Sequence, residues 1–435
     1  MSDISRRKFI ATAGISAVGA IALNACGDPT TTTTSTPTPA VNTGSADSPE
    51  TTKAKFGFIA LTDSSPLIIA KVKGYFDKYG MTEVEVAKQA SWGTTRDNLV
   101  LGSEGGGIDG AHILTPMPYL ISEGIVTNGK KVPMHILARL NVNGQGICLS
   151  NKYKDLAIKT DSSPLKAAFA KVKEPKAAMT FPGGTHDMWI RYWLAAGGID
   201  PVTDISTIVV PPAQMIANVK VGNMDTFCVG EPWPLQLVNQ SIGYNALTTG
   251  ELWKNHPEKA LGMRADYVEK YPKATKAIVM AVQEAQIWCD QPENRKEMCE
   301  IVSNREWFNV PFADIIDRTN GKFDMGDGRI IENSPLLQKY WAEGASYPYK
   351  SHDLWFLTEN IRWGYLPTST DTKKMVDAVN REDIWREAAK AIGQEAMIPA
   401  STSRGVETFF DGIKFDPENP KAYLDSLKIK KLKTA

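Results

Sequence analysis

The chain has 435 residues, 42% hydrophobic and 23% charged, with 49 basic and 49 acidic side chains for a formal net charge of zero. That balance leaves no electrostatic footprint for nucleic acid or an anionic membrane surface. The length is too great for one ordinary core and comfortable for two α/β lobes.

The first residues are an address rather than a fold element. Ser5-Arg6-Arg7-Lys8-Phe9-Ile10 precedes a run of small and apolar residues from Ala11 to Leu23, which ends in Leu23-Asn24-Ala25-Cys26. The run of about 13 residues is well short of the ~20 needed for a permanent membrane helix. Residues 1–25 are therefore expected to be a twin-arginine export signal, with cleavage before Cys26 and lipidation of that cysteine; an uncleaved N-terminal anchor is the alternative. Residues 26–54 then form a Thr/Ser/Pro tract with almost nothing apolar to bury, expected as a disordered tether. Without the signal the net charge is about −2.

The body begins with an apolar strand, Phe56 to Leu61. Asp63-Ser64-Ser65-Pro66 follows, with cap groups and a proline suited to a first helical turn, and Gly80 stands where a helix-terminal glycine is expected. A strand around Val84–Val86 completes a β-α-β opening, the start of a parallel sheet. The alternation continues with a helix over Thr94–Gly102, a strand at Gly110–Leu114, a helix over Pro116–Glu123, and strands within Lys131–Leu140 and Gly146–Ser150. Ala177–Phe181 is a strand running through Pro182-Gly183-Gly184 into a helix over Met188–Ala196. Two further strands, Ile208–Val210 and Thr226–Val229, flank a helix over Ala213–Val221. From about Tyr267 the pattern turns helical, with a long amphipathic segment to Cys289 and helices near Ile331–Trp341, Asp353–Trp363, Lys373–Val379 and Asp383–Ile392. No internal repeat and no Walker-type phosphate loop is present, so the chain is not its own ATPase.

Beyond Cys26, four cysteines remain, without metal spacing. Cys289 and Cys299 flank a helix break and could either bridge or stay as buried thiols.

Several segments together are specific: Phe58–Leu67, Lys73-Gly74-Tyr75-Phe76, Ser91–Asp97, Asn143–Gly146, Phe181–Asp187, Val229–Trp233 and His256–Ala260. On them the body, from about residue 55 onward, resembles the type 2 periplasmic solute-binding proteins, in the branch that carries nitrate, bicarbonate and alkanesulfonates to ABC importers. It lies nearest the nitrate/nitrite-binding lipoproteins of cyanobacteria. The resemblance implies an α/β, two-lobed fold with a ligand cleft between the lobes. Lobe 1 would be residues 55–148 and 251–435, including a C-terminal helical region, and lobe 2 residues 149–250, with the first crossing near Cys148. It further implies an ABC permease with its ATPase subunits as partner, no enzymatic activity, no cofactor, and an anion site lined by Trp92, Gln145, His186, Pro212, Val229, Gly230 and Lys259.

These residue types suit a small oxyanion. Nitrate spreads one negative charge over three acceptor oxygens and donates no hydrogen bond, so its pocket needs donors and a counter-charge. Lys259 supplies the charge, Gln145 an amide, and His186 one ring N–H or two if protonated. His186 also lies at a helix start, where unpaired amides favour anions, and Trp92 offers a flat face. Glu231 is the awkward neighbour, expected to point away or to pair with Lys259, and the other four histidines are expected to be structural. The bicarbonate branch resembles this chain but carries an acidic residue that recruits calcium where Lys259 stands. A built-in cation therefore favours nitrate, then nitrite, without a metal. The alternatives are a bicarbonate receptor, a sensor of the same fold, and an enzyme like the thiamin-precursor synthases, whose cysteine-rich motif is absent.

Overall fold

The computed structural model describes residues 48–434. The export signal, Cys26 and the tether through residue 47 lie outside the described residues. Ten strands form two five-stranded sheets: β1 (Lys53–Phe58), β2 (Glu83–Lys88), β3 (Gly110–Leu114), β4 (Met134–Arg139), β5 (Gln145–Ser150), β6 (Lys176–Met179), β7 (Ser206–Val209), β8 (Thr226–Gly230), β9 (Gly243–Thr248) and β10 (Lys259–Arg264). Their orders are β2-β1-β3-β10-β4 and β7-β6-β8-β5-β9. In the first sheet β1 runs parallel to β2 and β3, while β10 is antiparallel to β3 and β4. In the second, β6 runs parallel to β7 and β8, while β5 is antiparallel to β8 and β9. The two sheets thus share one topology, although the sequence contains no repeat.

The antiparallel strand of each sheet is the one that arrives from the other. Because β5 and β10 run against their neighbours, their first residues, Gln145 and Lys259, lie at the edge where the parallel strands end. Open α/β sheets place their sites at that edge.

Local chemistry explains most boundaries. The helical stretch after β1 divides into Ser65–Val72 and Tyr75–Lys78 at Gly74, whose φ of 73° a side chain rarely adopts. The helix Thr185–Ala196 begins three residues earlier than its apolar pattern, at the turn after β6. The expected helix near Ile331–Trp341 does not form. Ile330–Ile331 pairs with Phe323–Asp324 in a short ribbon, Asn333 takes a φ of 52°, and Pro335 has no N–H to continue a helical ladder. Two strands escaped the sequence pattern, β9 and β10.

Both faces of the second sheet are buried, as expected of strands covered on either side. Successive residues alternate between two cores: Cys148, Ala178, Phe227 and Val229 join the core shared with the first sheet, whereas Ile147, Leu149, Ala177, Met179 and Cys228 join a second one. The expected crossing near Cys148 falls earlier, because the strand carrying it already pairs with β8. The C-terminal helices divide likewise. Trp385, Val376 and Leu357 pack in the first core, and Trp355, Phe356 and Tyr423 in the second, so residues after 251 do not all pack with the first sheet. All four described cysteines are free and buried, Cys289 and Cys299 included. Among the described residues no helix is long and apolar enough to cross a membrane.

Candidate functional site

Five of the seven sequence-predicted pocket residues converge where the two sheets face one another. Lys259, the first residue of β10, is fully buried, and its Nζ lies 2.9 Å from Asp63 Oδ2 and 2.9 Å from Glu258 Oε1. It also lies 3.5 Å from His186 Nε2 and 5.9 Å from the centre of the Trp92 ring. Gln145, the first residue of β5, donates from Nε2 to Asp63 Oδ2 at 3.1 Å, and its Oε1 faces His186 Nε2 at 2.7 Å. Gly230 ends β8 directly opposite Gln145. A Cβ there would stand 2.6 Å from Gln145 Oε1 and 3.3 Å from Asp63 Oδ2, so the absence of a side chain is what lets Gln145 reach across.

The amide orientation settles the histidine tautomer. With Gln145 donating to Asp63, its oxygen must accept the Nε2–H of His186. His186 Nδ1 then accepts from the Thr180 hydroxyl at 2.5 Å. The helix beginning at Thr185 has no side-chain cap, and Asp187 instead accepts the Gly183 N–H and the Arg191 and Tyr365 donors, which fixes the turn before it.

Three members of the cluster were not legible in sequence. Asp63 does not cap the helix after β1; no side chain does so there. Its carboxylate turns inward to Lys259, Gln145 and His112, whose Nε2 is 2.5 Å away. His112, expected to be structural, packs against Trp92 with ring centres 5.2 Å apart and planes tilted by 42°, and its Nδ1 faces the Ile59 N–H at 3.4 Å. Glu258 accepts from Lys259, from Trp189 Nε1 at 2.7 Å and from the Thr185 hydroxyl. One signal was available: Asp63 follows the C-terminal end of the first parallel strand, where such sheets keep their sites. Lys259, which taken alone reads as a solvated loop charge, is a strand residue with no exposure.

Val229 and Pro212 stand apart from this network. Val229 is buried in β8 and packs in the shared core. Pro212 is buried at the start of the short turn Pro212–Gln214, its carbonyl accepting the Met215 N–H. Glu231 points away from Lys259. Its Oε1 lies 3.5 Å from Arg318 Nε and its Oε2 accepts the Leu235 N–H, so it does not orient the lysine.

The electrostatics follow from complete burial. Burial pushes Asp63 up, yet Lys259 and His112 outweigh it and hold the carboxyl well below its usual range. Burial lowers Lys259, and Asp63 with Glu258 reverse this and leave it raised. For Glu258 burial prevails and its pKa is raised. His186 is driven well below the ordinary imidazole value, first by burial and then by Lys259, and His112 is lowered by burial. The indole N–H of Trp92 is buried without an acceptor among the described residues, a donor left unused. Among these residues no group of three or more His, Cys, Asp or Glu is arranged to hold a metal ion. The site brings together an ammonium, two imidazoles, two carboxylates, an amide and an indole.

Two α/β sheets that exchange antiparallel strands, with a polar cluster at their facing edges, define a two-lobed, periplasmic-binding-protein-like fold of the second type. Residues 47–303 match the NMT1-like family, and the chain belongs to it. It is 69% identical over 443 residues, spanning 99% of each chain, to the nitrate/nitrite binding protein NrtA of Synechocystis sp. (strain ATCC 27184 / PCC 6803 / Kazusa). It is 46% identical over 448 residues, 98% of each chain, to the bicarbonate-binding protein CmpA of Synechococcus elongatus (strain ATCC 33912 / PCC 7942 / FACHB-805). The crystal structure of the periplasmic nitrate-binding protein NrtA from Synechocystis PCC 6803 superposes with a TM-score of 0.87 at 73% identity, covering 88% of this chain and all of that one.

Proposed function

We propose that this chain captures nitrate, and nitrite beside it, outside the cytoplasm and delivers it to an ABC permease and its ATPase subunits, held at the membrane by a lipid on Cys26 after twin-arginine export. Trp92, Gln145, His186 and Lys259 are the anion's donors in this reading, and Pro212, Val229 and Gly230 wall the pocket. The observation that carries it is the Lys259 ammonium, buried where the sheets meet, held by Asp63 and Glu258 and with His186 and Trp92 beside it. Desolvating a lone anion is costly, and a charge-assisted pair offsets much of that cost. A fixed cation also supplies what a bound calcium would otherwise bring. The reading is of binding without chemistry, with the segments around β4–β5 and β9–β10 as crossings between lobes that close on the ligand.

Titration calorimetry against nitrate, nitrite and bicarbonate, each with and without calcium, tests it. Nitrate is expected to bind with micromolar or tighter affinity, about −8 kcal/mol or better, independently of calcium. Heat from bicarbonate with calcium and none from nitrate would overturn the assignment.

A further inference from the structure

The pocket contains more titratable groups than an anion receptor requires. Asp63, His112, His186, Glu258 and Lys259 are all buried with no exposure above 1%, and they comprise two carboxylates, two imidazoles and one ammonium. With both carboxylates ionised and both rings neutral, the cluster already carries one net negative charge. An arriving anion would raise it to two in a place that water does not reach, and uncompensated buried charge is strongly unfavourable.

We infer that capture of the anion is coupled to uptake of one proton, and that His186 is the group that takes it. This rests on the nitrate reading above and goes beyond it, since what is captured becomes, thermodynamically, an anion together with a proton.

The hydrogen-bond pattern selects His186. Glu258 accepts from Thr185, Trp189 and Lys259, and protonating it would break its direct ion pair with the Lys259 ammonium at 2.9 Å. His112 uses Nε2–H toward Asp63 and receives the Ile59 N–H at Nδ1, so a second ring proton would oppose a backbone N–H that cannot turn away. His256 lies behind Glu258, its Nδ1 3.1 Å from the Pro257 carbonyl and its Nε2 2.7 Å from the Thr249 hydroxyl, and it touches none of the proposed anion donors. His186 differs on each count. Its Nε2–H already points at Gln145 Oε1, and its Nδ1 faces only the Thr180 hydroxyl, which becomes an acceptor by rotating one O–H bond.

The charges around the ring also fit this role. Lys259 Nζ and Glu258 Oε1 each lie 3.5 Å from Nε2. Asp63 is one amide away through Gln145, His112 and His256 are the neighbouring imidazoles, and on its own helix Asp187 is neutralised by Arg191 at 2.6 Å. Lysine and burial keep the free ring neutral. An anion placed against Lys259 cancels the lysine's repulsion and adds an attraction, so the ring gains a proton from solvent, one N–H bond forming at Nδ1 as one bond to hydrogen breaks in the hydronium or buffer acid that gives it up. Affinity then falls about tenfold per pH unit wherever the free ring is neutral and the bound ring is charged.

Calorimetry of the purified protein with nitrate, in buffers of different ionisation enthalpy at about pH 6 and about pH 7.5, reads this directly. The expected result is a heat that varies linearly with buffer enthalpy, approaching one proton taken up per nitrate at the lower pH. Equal heats in all buffers would overturn the coupling while leaving nitrate binding intact, whereas no heat in any buffer would sink the nitrate reading itself. In His186→Asn, weaker binding with no proton uptake supports the assignment, and uptake that persists overturns it. Should that variant not fold or bind, ring nitrogen NMR of the wild type with nitrate decides: two protonated ring nitrogens at His186 support the proposal, and an unprotonated one refutes it.

Discussion

Lys259 is held by two carboxylates and an imidazole, so its place in the cleft is set by Asp63 and His186, far from it in sequence, and by the adjacent Glu258. Removing one member of a buried pair typically costs about 3–5 kcal/mol, because the remaining charge stays buried without its partner. Lys259→Glu would set a third carboxylate beside Asp63 and Glu258. It is expected to lose nitrate affinity by at least about 100-fold, read by calorimetry once circular dichroism shows the variant folded; affinity retained within about threefold would place Lys259 outside the site. Trp92, Gln145, His186, Gly230 and Lys259 were all marked in the sequence through family resemblance. Asp63, His112 and Glu258 were not, for a physical reason. A carboxylate next to a helix start reads as a cap and a lone histidine as core, and only the spatial convergence of β1, β3 and β10 assigns them another role.

At the scale of elements, the site is made by the direction of two strands. β5 and β10 enter their sheets antiparallel to their neighbours, so the residues that begin them, Gln145 and Lys259, meet the residues that end or follow β1, β6 and β8. Gly230→Ala probes that register. The new methyl would sit 2.6 Å from Gln145 Oε1 and 3.2 Å from Leu61 Cδ2. Overpacking of this kind costs about 1–3 kcal/mol, and here the strain falls on Gln145. Nitrate affinity is expected to drop about tenfold or more, with the thermal midpoint lowered only modestly. Unchanged affinity would mean that Gln145 does not need its present position. Strands such as β3 were legible because they alternate with amphipathic helices. β9 and β10 were not, since the helices that directly follow them, Thr249–Leu252 and Ala265–Lys270, are too short to show an amphipathic period.

For the whole molecule, burial of every histidine has a consequence for pH. His256 and His352 are lowered to about 3, chiefly by burial. Both are neutral in the folded chain, while the unfolded chain protonates them below the ordinary value of 6.5. The unfolded state therefore binds more protons between about pH 3 and 6.5, so this stabilisation is complete above that window and is lost as pH falls through it. Glu231 and Glu258, raised by burial, act in the opposite direction. The histidine contribution is isolated by comparing wild type with His352→Gln in denaturant unfolding at about pH 7 and about pH 5. The variant is expected to lose less stability on acidification, by about 2 kcal/mol. An identical pH dependence would show that His352 is not held neutral.

The sequence by itself determined the α/β alternation of the body and most of its helices, because apolar periodicity and glycine turns are local properties of the chain. It also determined which donors a small anion would need. Tertiary structure alone decided that Lys259 is buried rather than solvated, that Glu231 belongs to Arg318, and that Asp63 and Glu258 share the lysine. Those outcomes depend on which residues two sheets, joined by exchanged strands, bring within 3 Å of one another, and no local pattern encodes that distance.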